Sequence, residues 1–427
     1  MTLQGHVGSQ TITTQPYISS PMRIGILMGG FSAERHISME SGRNVYEKFA
    51  SSGKYTPIPI FLTGTPDAHQ LFIIPINFML KDNADDIHEK LHSLPIAPTP
   101  ANTYSTAKQA IFQKYTGACI SQPIPISYES LRQHVESIFI ALHGRPGEDG
   151  TVQAILEEHH LPYNGSTPLV SQMTMDKYAT NRFLHTHGIH VADQLLVTKA
   201  QWMEDDVATM KGIETTFPYP FITKPVDDGC SVGVCKIDNR TQLQAYAQRV
   251  FQIIPPPDKK GAPSPTYQRF LVETLIDKGT ADHFLEITGG LLTHSDKTGN
   301  VQYEMLEPSE VIAQGDILSL VEKFLAGEGQ NITPARFHTD PKQREIIATQ
   351  VKQDLQKVAQ LLQLTGYARI DAMVKIFTFH VETWIIEVNT LPALTPATCI
   401  FHQAAFNGYT PFDFLDKIIQ QSYRSLQ

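Results

Sequence analysis

Apolar and polar residues alternate with period two over residues 368–374. Ala368, Ile370, Ala372 and Val374 fall on one face of the implied strand, and Arg369, Asp371 and Met373 on the other. Read the same way, residues 384–389 set Trp384, Ile386 and Val388 against Ile385, Glu387 and Asn389, so the two segments suit a hairpin. Continuous apolar runs at 23–28 and 137–142 read as buried strands, and 221–224 and 270–273 as further strands. A helical pattern opens at Ser32-Ala33-Glu34, another helix runs from near Thr151 to before Pro162, and a third carries Met175-Asp176-Lys177 and ends at Gly188. The clearest helix begins at Asp340, a good N-cap, followed by Pro341. It presents Ile347, Val351, Leu355, Val358 and Leu362 on one face, and Gly366 is its expected end. Periodicity is weak across 62–135, which reads as an insertion in the first domain, and 254–265 reads as a loop excursion.

Strand, glycine turn and helix at the start, followed by alternating strands and helices, define an α/β chain. The expected division is a flexible tail over 1–21, an N-terminal domain over 22–165, a central domain over 166–275 and a C-terminal domain over 276–427. A length of 427 residues accommodates this. The net charge of −9, with no long basic run, argues against nucleic acid or an anionic membrane as the main partner. No apolar run reaches the length of a membrane span. Four cysteines without a CxxC pair fit a reducing cytosol, and 1–21 lacks the features of a signal or transit peptide.

If the two alternating strands pair, Asp371, Glu387 and Asn389 converge with Arg369 beside them. Three hard oxygen donors make a poor core and a good Mg²⁺ site, and such a site commonly serves a nucleoside triphosphate. Gly229-Cys230-Ser231-Val232-Gly233 follows a strand that ends in Lys224. It is either a simple turn or a ring of N–H groups for phosphate. Lys177 is either a solvated helix residue or a phosphate ligand, and Glu273 either a strand end or the start of an adenine hinge. The glycine-rich stretch from His143 to Gly150 closes a buried strand, where open α/β sheets bind ligands. Glu34 can complement a helix dipole or bind a cation.

Taken in order, these motifs resemble the D-alanine–D-alanine ligases of the ATP-grasp superfamily. The matching pieces are Gly29-Gly30-Phe31-Ser32-Ala33-Glu34, Leu142-His143-Gly144 with Gly147-Glu148-Asp149-Gly150, Met175-Asp176-Lys177, Lys224-Pro225, residues 229–233, Gly366 with Arg369-Ile370-Asp371, and residues 387–392. The resemblance implies a three-domain α/β ATP-grasp ligase that uses ATP and two Mg²⁺ ions, with Mn²⁺ able to substitute. It implies that Lys177 and Lys224, with Gly229, Cys230 and Ser231, hold ATP phosphates. Glu273, Thr274, Leu275 and Ile276 line the adenine, and Asp282 stands at the ribose. Asp371, Glu387 and Asn389 bind the metal. Lys323 closes over the γ-phosphate on a mobile loop, Arg369 stabilises the tetrahedral intermediate, and Glu34 binds the first ammonium with His143 nearby.

Four positions depart from the family pattern. Cys230 stands for a serine and Phe324 for a tyrosine, so the usual hydroxyl triad with Glu34 cannot form. Ala393 replaces a glycine, and Thr398 a serine that contacts the second substrate's carboxylate. The expected activity is joining two D-alanines for peptidoglycan precursors, in the cytoplasm, as a homodimer. Ligation of D-lactate or D-serine, another carboxylate–amine ligation and a silent nucleotide-binding regulator are the alternatives.

Overall fold

The computed structural model describes residues 21–93, 122–227, 233–252, 267–296, 300–312 and 331–424. Most of the expected tail, the 254–265 excursion, and the candidate site residues Gly229, Cys230, Ser231, Lys323 and Phe324 lie outside them.

The first sheet is built on β1 (Met22–Gly29), β2 (Tyr55–Thr65), β3 (Ala68–Ile73), β4 (Ile124–Ile126) and β5 (Ser137–Ile140), in the order β4-β3-β2-β1-β5. β1 pairs in parallel with β2 and β5, and the helix α1 (Arg35–Ser52) makes the crossover from β1 to β2. Of the stretch 62–135, residues 62–93 and 122–135 are described. β2 runs on through Leu62 to Thr65, β3 and β4 extend the sheet antiparallel, and Leu71, Ile73, Met79, Ile87 and Leu91 join its core. Elements this short, broken by Pro, Ser and Thr, carry too few periods to read from the pattern alone.

The helix expected through Asp176 is two helices, Pro168–Met175 and Lys177–Thr186. Asp176 leaves helical geometry and caps the second, accepting from the Ala179 N–H at 2.9 Å and from Arg269 Nη2 at 3.1 Å. Lys177 therefore starts a helix.

Four strands form the second sheet: β7 (Gln194–Thr198), β8 (Phe221–Pro225), β9 (Cys235–Ile237) and β10 (Arg269–Thr274), in the order β7-β10-β8-β9. Its core runs from Val197 to Val272 and centres on Trp202, Phe251 and Phe270. The third sheet has seven strands among the described residues. They are β6 (His190–Val191), β11 (His283–Ser295), β12 (Val301–Met305), β13 (Ser309–Val311), β14 (Asn331–Ile332), β15 (Tyr367–Ile376) and β16 (Val381–Asn389). Val170, Leu184 and Val191 share the core of this sheet rather than that of the central one. Chain order and core membership thus differ over 168–191, because β6 pairs with β16.

The Pro341–Leu361 helix backs the third sheet, with Val351, Leu355 and Val358 fully buried. Each such side chain contributes about 1.5–3 kcal/mol. Asp340 caps the helix as expected, accepting from the N–H groups of Lys342 and Gln343. Its end lies at Leu361, not Gly366. Gly366 has φ +76°, and a Cβ there would lie 2.7 Å from Gly165 N, so the glycine serves a close crossing of two backbones. The C-terminal helices return to the first sheet, burying Phe401, Phe414, Ile418 and Ile419 in its core.

Candidate active site

β15 and β16 pair antiparallel, with Arg369 opposite Asn389 and Asp371 opposite Glu387. Beyond that point the register shifts, setting Ala372 against Ile385 and leaving Ile386 as an extra residue. This bulge corrects the strict alternation expected over 384–389. Ile385 and Val388 both enter the apolar core, and Trp384 pairs with Met373 on the opposite face. Each bulge residue reverses face parity, so Glu387 still faces outward with Asp371.

The carboxylates of the hairpin are matched by cations. Arg369 donates to both oxygens of Asp371, at 3.0 Å each, and stands 3.6 Å from Glu387 Oε1. Lys177 Nζ lies 3.8 Å from Glu387 Oε2 with its side chain only 11% exposed, which sets aside the solvated-helix reading. Asn389 Oδ1 accepts from the Leu391 N–H at 2.9 Å and keeps a second lone pair. Among the described residues no three His, Cys, Asp or Glu side chains gather as a metal cluster. The set here is two carboxylates and one amide oxygen, all hard donors, and it fits Mg²⁺ better than a softer metal.

On the second sheet, Lys224 Nζ and Glu273 Oε2 form a buried pair at 2.7 Å. Gln194 donates to the other oxygen of Glu273. Removing one member of such a pair leaves a buried charge. The Lys177 N–H donates to Val226 O at 3.1 Å, which ties its helix to the end of β8 just beyond Lys224. Both lysines therefore stand at one end of the central sheet. Thr274 is exposed and Leu275 and Ile276 half-buried on the link from β10 to β11. Asp282 is exposed at the start of β11, where it accepts from Thr378 Oγ1 at 2.9 Å and donates its N–H to Ile376 O. It lies at the opposite end of β15 from Arg369.

Glu34 is the N-cap residue of α1 and is buried, with its N–H on Ser32 Oγ. Gly144, at φ +64°, lets the glycine-rich loop come close: a Cβ there would meet Glu34 Oε2 at 3.1 Å. His143 is buried, with Nδ1 at 3.2 Å from Leu391 O and Nε2 at 2.9 Å from Ser41 Oγ. A carbonyl can only accept, so Nδ1 donates to Leu391 O, and in the neutral ring Nε2 accepts from Ser41. The Ser41 oxygen in turn accepts from the Leu394 N–H at 3.0 Å, and Asn44 Nδ2 donates to Leu394 O at 2.8 Å. Tyr367 adds a bond to Pro392 O at 3.3 Å. The 391–394 loop is thus held through its own backbone.

That loop borders a small pocket lined by Glu286, Thr288, Arg369, Asp371, Ala393 and Thr398, among others. Positive φ at non-glycine positions falls at His160, Gln252 and Gln363 among the described residues, so the Ala393 methyl fits its backbone without strain. Thr398 is buried at the N-cap of the Cys399–Phe406 helix and donates to Thr395 O at 2.7 Å. Ser41, Asn44, Gln194, Glu286 and Thr288 were not singled out by sequence reasoning. The only available signal was the recurrence of polar residues at 34, 38, 41 and 44 on one face of α1.

Lys224 on a four-stranded antiparallel sheet, Lys177 at the helix start tied to the end of that sheet and 3.8 Å from the acidic hairpin of a larger mixed sheet, and a first α/β unit carrying Glu34 make this an ATP-grasp ligase. Models of the "D-ala D-ala ligase N-terminus" and "D-ala D-ala ligase C-terminus" match residues 23–166, and residues 183–255 with 269–420. The chain belongs to the D-alanine–D-alanine ligase family. A D-alanine–D-alanine ligase of Leptospira interrogans is 26% identical over 405 residues, covering 93% of this chain and 97% of that protein. One from Syntrophobacter fumaroxidans is 30% identical over 293 residues, covering 67% and 80%. In fold, the chain is similar to the D-alanine–D-alanine ligase of Coxiella burnetii, with TM-score 0.66, 20% identity and 96% of each chain covered. It is also similar to the VanG D-Ala:D-Ser ligase of Enterococcus faecalis, with TM-score 0.65, 20% identity and coverage of 94% and 99%. The Bacillus anthracis D-alanine–D-alanine ligase complexed with ATP gives TM-score 0.57 at 22% identity, with coverage of 95% and 98%.

Proposed function

We propose that this enzyme joins two D-alanines at the expense of ATP, giving D-alanyl-D-alanine, ADP and phosphate for cell-wall precursors. The observation that carries this reading is the approach of Lys177 to Glu387 at 3.8 Å, beside the Arg369–Asp371 pair. It puts a phosphate-binding cation and the acidic hairpin at one point. Relatives named D-alanine–D-alanine ligase over more than nine-tenths of the chain support the substrate, and the Bacillus anthracis neighbour was solved with ATP.

Lys177 and Lys224 bind the phosphates of ATP, and the 273–276 link with Asp282 takes the nucleoside. Asp371, Glu387 and Asn389 are the residues that would hold Mg²⁺, which when bound neutralises phosphate charge. Glu34, buried at the start of α1, holds the ammonium of the first D-alanine. A carboxylate oxygen of that substrate attacks the γ-phosphorus and ADP leaves, giving an acyl phosphate. The amine of the second D-alanine then attacks the acyl carbon, phosphate departs, and a proton is lost from nitrogen. Arg369 and the Ala393 N–H meet the oxyanion formed in between. Thr398 takes the second carboxylate, and His143 orients the 391–394 loop. The family resemblance assigns phosphate binding to Gly229, Cys230 and Ser231 as well, and contact with the γ-phosphate to Lys323; these residues lie outside the described ones.

The three expected divisions act as a first-substrate unit and two nucleotide-binding units, with 168–191 packed on the third sheet. Dependence on ATP suits the cytoplasm. Among the described residues no helix is long and apolar enough to cross a membrane. The homodimer implied by the family resemblance is tested by sedimentation. The activity is tested by phosphate release with D-alanine, D-lactate or D-serine as second substrate and mass analysis of the product. Dipeptide as the main product at neutral pH supports the reading, and ester or D-Ala-D-Ser as the main product replaces it.

A further inference from the structure

Glu286 and Thr288 stand two residues apart on β11, opposite Met373 and Asp371 of β15. Directly paired residues share a face, so Glu286 belongs to the same sheet surface as Asp371 and Glu387. It lines the pocket that also holds Arg369, Ala393 and Thr398, the groups assigned above to the oxyanion and the second substrate. Thr288 is buried at 5% exposure, and its Oγ1 has no hydrogen-bond partner among the described residues. A buried hydroxyl without a partner among the described residues, beside a carboxylate in a small pocket, suits a ligand carrying both a hydrogen-bonding group and a positive charge.

Resting on the ligase reading above, we propose that Glu286 recognises the ammonium group of the second substrate, with Thr288 beside it. Glu286 thereby selects a D-amino acid over a D-hydroxy acid. D-Alanine and D-lactate share their carboxylate and methyl group, so a group that meets only these, such as Thr398, does not separate them. The Arg369 cation repels an ammonium, and the Glu286 carboxylate offsets that repulsion. The two substrates differ at one group. An ammonium gains a charge-assisted hydrogen bond from a carboxylate, while a neutral hydroxyl gains an ordinary one. Glu286 thus supplies discrimination that does not depend on a tyrosine hydroxyl at position 324, where this chain has phenylalanine. Before attack the bound ammonium passes one proton to the Glu286 carboxylate, which frees the nitrogen lone pair, and the order of bond making is unchanged.

The test is a competition. Full-length enzyme is given ATP, Mg²⁺ and D-alanine with equimolar D-lactate at neutral pH, and dipeptide and depsipeptide are quantified by mass. Glu286→Gln keeps the shape and removes the charge. It is expected to lower the dipeptide-to-depsipeptide ratio about 10- to 100-fold, with the KM for ATP unchanged. Glu286→Asp keeps the charge and is expected to retain the preference for dipeptide in part, which also serves if the Gln variant folds poorly. An unchanged product ratio in Glu286→Gln overturns the proposal, as does equal loss of preference in the Gln and Asp variants. If the wild-type enzyme makes neither product, the ligase reading fails instead.

Discussion

Removing the Asn44 amide tests whether α1 sets the geometry of the second-substrate loop. Asn44 is 6% exposed, and its Nδ2 donates to Leu394 O at 2.8 Å, while Ser41 on the same helix face holds the Leu394 N–H. Glu34, proposed to hold the first substrate's ammonium, begins this helix, so one element links it to the loop proposed to meet the second substrate. Asn44→Ala leaves a buried carbonyl unsatisfied, at a cost of about 1–3 kcal/mol. If that cost falls on holding the loop in the transition state, turnover drops about 5- to 150-fold. Asn44→Asp should be worse than Ala, because it sets a carboxylate oxygen against the carbonyl. The assay is dipeptide formed per phosphate released, measured with the KM for ATP and the melting temperature. A loosened loop lowers the ratio, since acyl phosphate is lost to water, and leaves the KM for ATP in place. An unchanged ratio in Asn44→Asp with normal folding refutes the reasoning, as does activity that falls only in step with melting temperature.

Other perturbations read other parts of the molecule. Asp371→Asn and Glu387→Gln should each lower turnover about 100-fold or more. Chelation with EDTA should abolish phosphate release until Mg²⁺ is restored, and near-normal rates in both variants would remove these carboxylates from the metal site. The Arg336 guanidinium hydrogen-bonded to Glu310 holds that carboxyl below its usual range, against the opposing effect of burial. A depressed pKa stabilises the fold above the ordinary carboxylate range, and this contribution is lost as pH falls through the lowered value. The melting-temperature gap between wild type and Glu310→Gln should therefore be widest near pH 7 and close on acidification. A gap that widens in acid contradicts the pairing. Desolvation raises the Cys399 thiol to about 11, opposed in part by Arg369. Cys399 should thus resist iodoacetamide at pH 8, as followed by peptide mass, and prompt alkylation would contradict that environment.

Much of this site was legible in the chain, because its chemistry sits on strands whose faces the pattern reveals. Arg369, Asp371, Glu387 and Asn389 meet as their spacing implied. The faces within 384–389 were misread because one bulge residue, Ile386, breaks the period, and a bulge leaves no mark in hydropathy. Lys177 was placed within a helix, whereas the Asp176 cap makes it the first residue of one, and only the tertiary contact with Arg269 reveals the break. The described parts of the 62–135 stretch, 62–93 and 122–135, hold strands and helices too short for periodicity to mark. The bonds that fix the 391–394 loop come from residues about 250 to 350 positions away, and no local pattern encodes a pairing at that distance.

The most direct test of the central claim is the stoichiometry of a single reaction: ATP, Mg²⁺ and D-alanine alone, with phosphate and product mass measured together at neutral pH. The account predicts one D-alanyl-D-alanine for each phosphate released, with both lost in Asp371→Asn. Phosphate released without dipeptide, or no D-alanine-dependent phosphate above background, would contradict it.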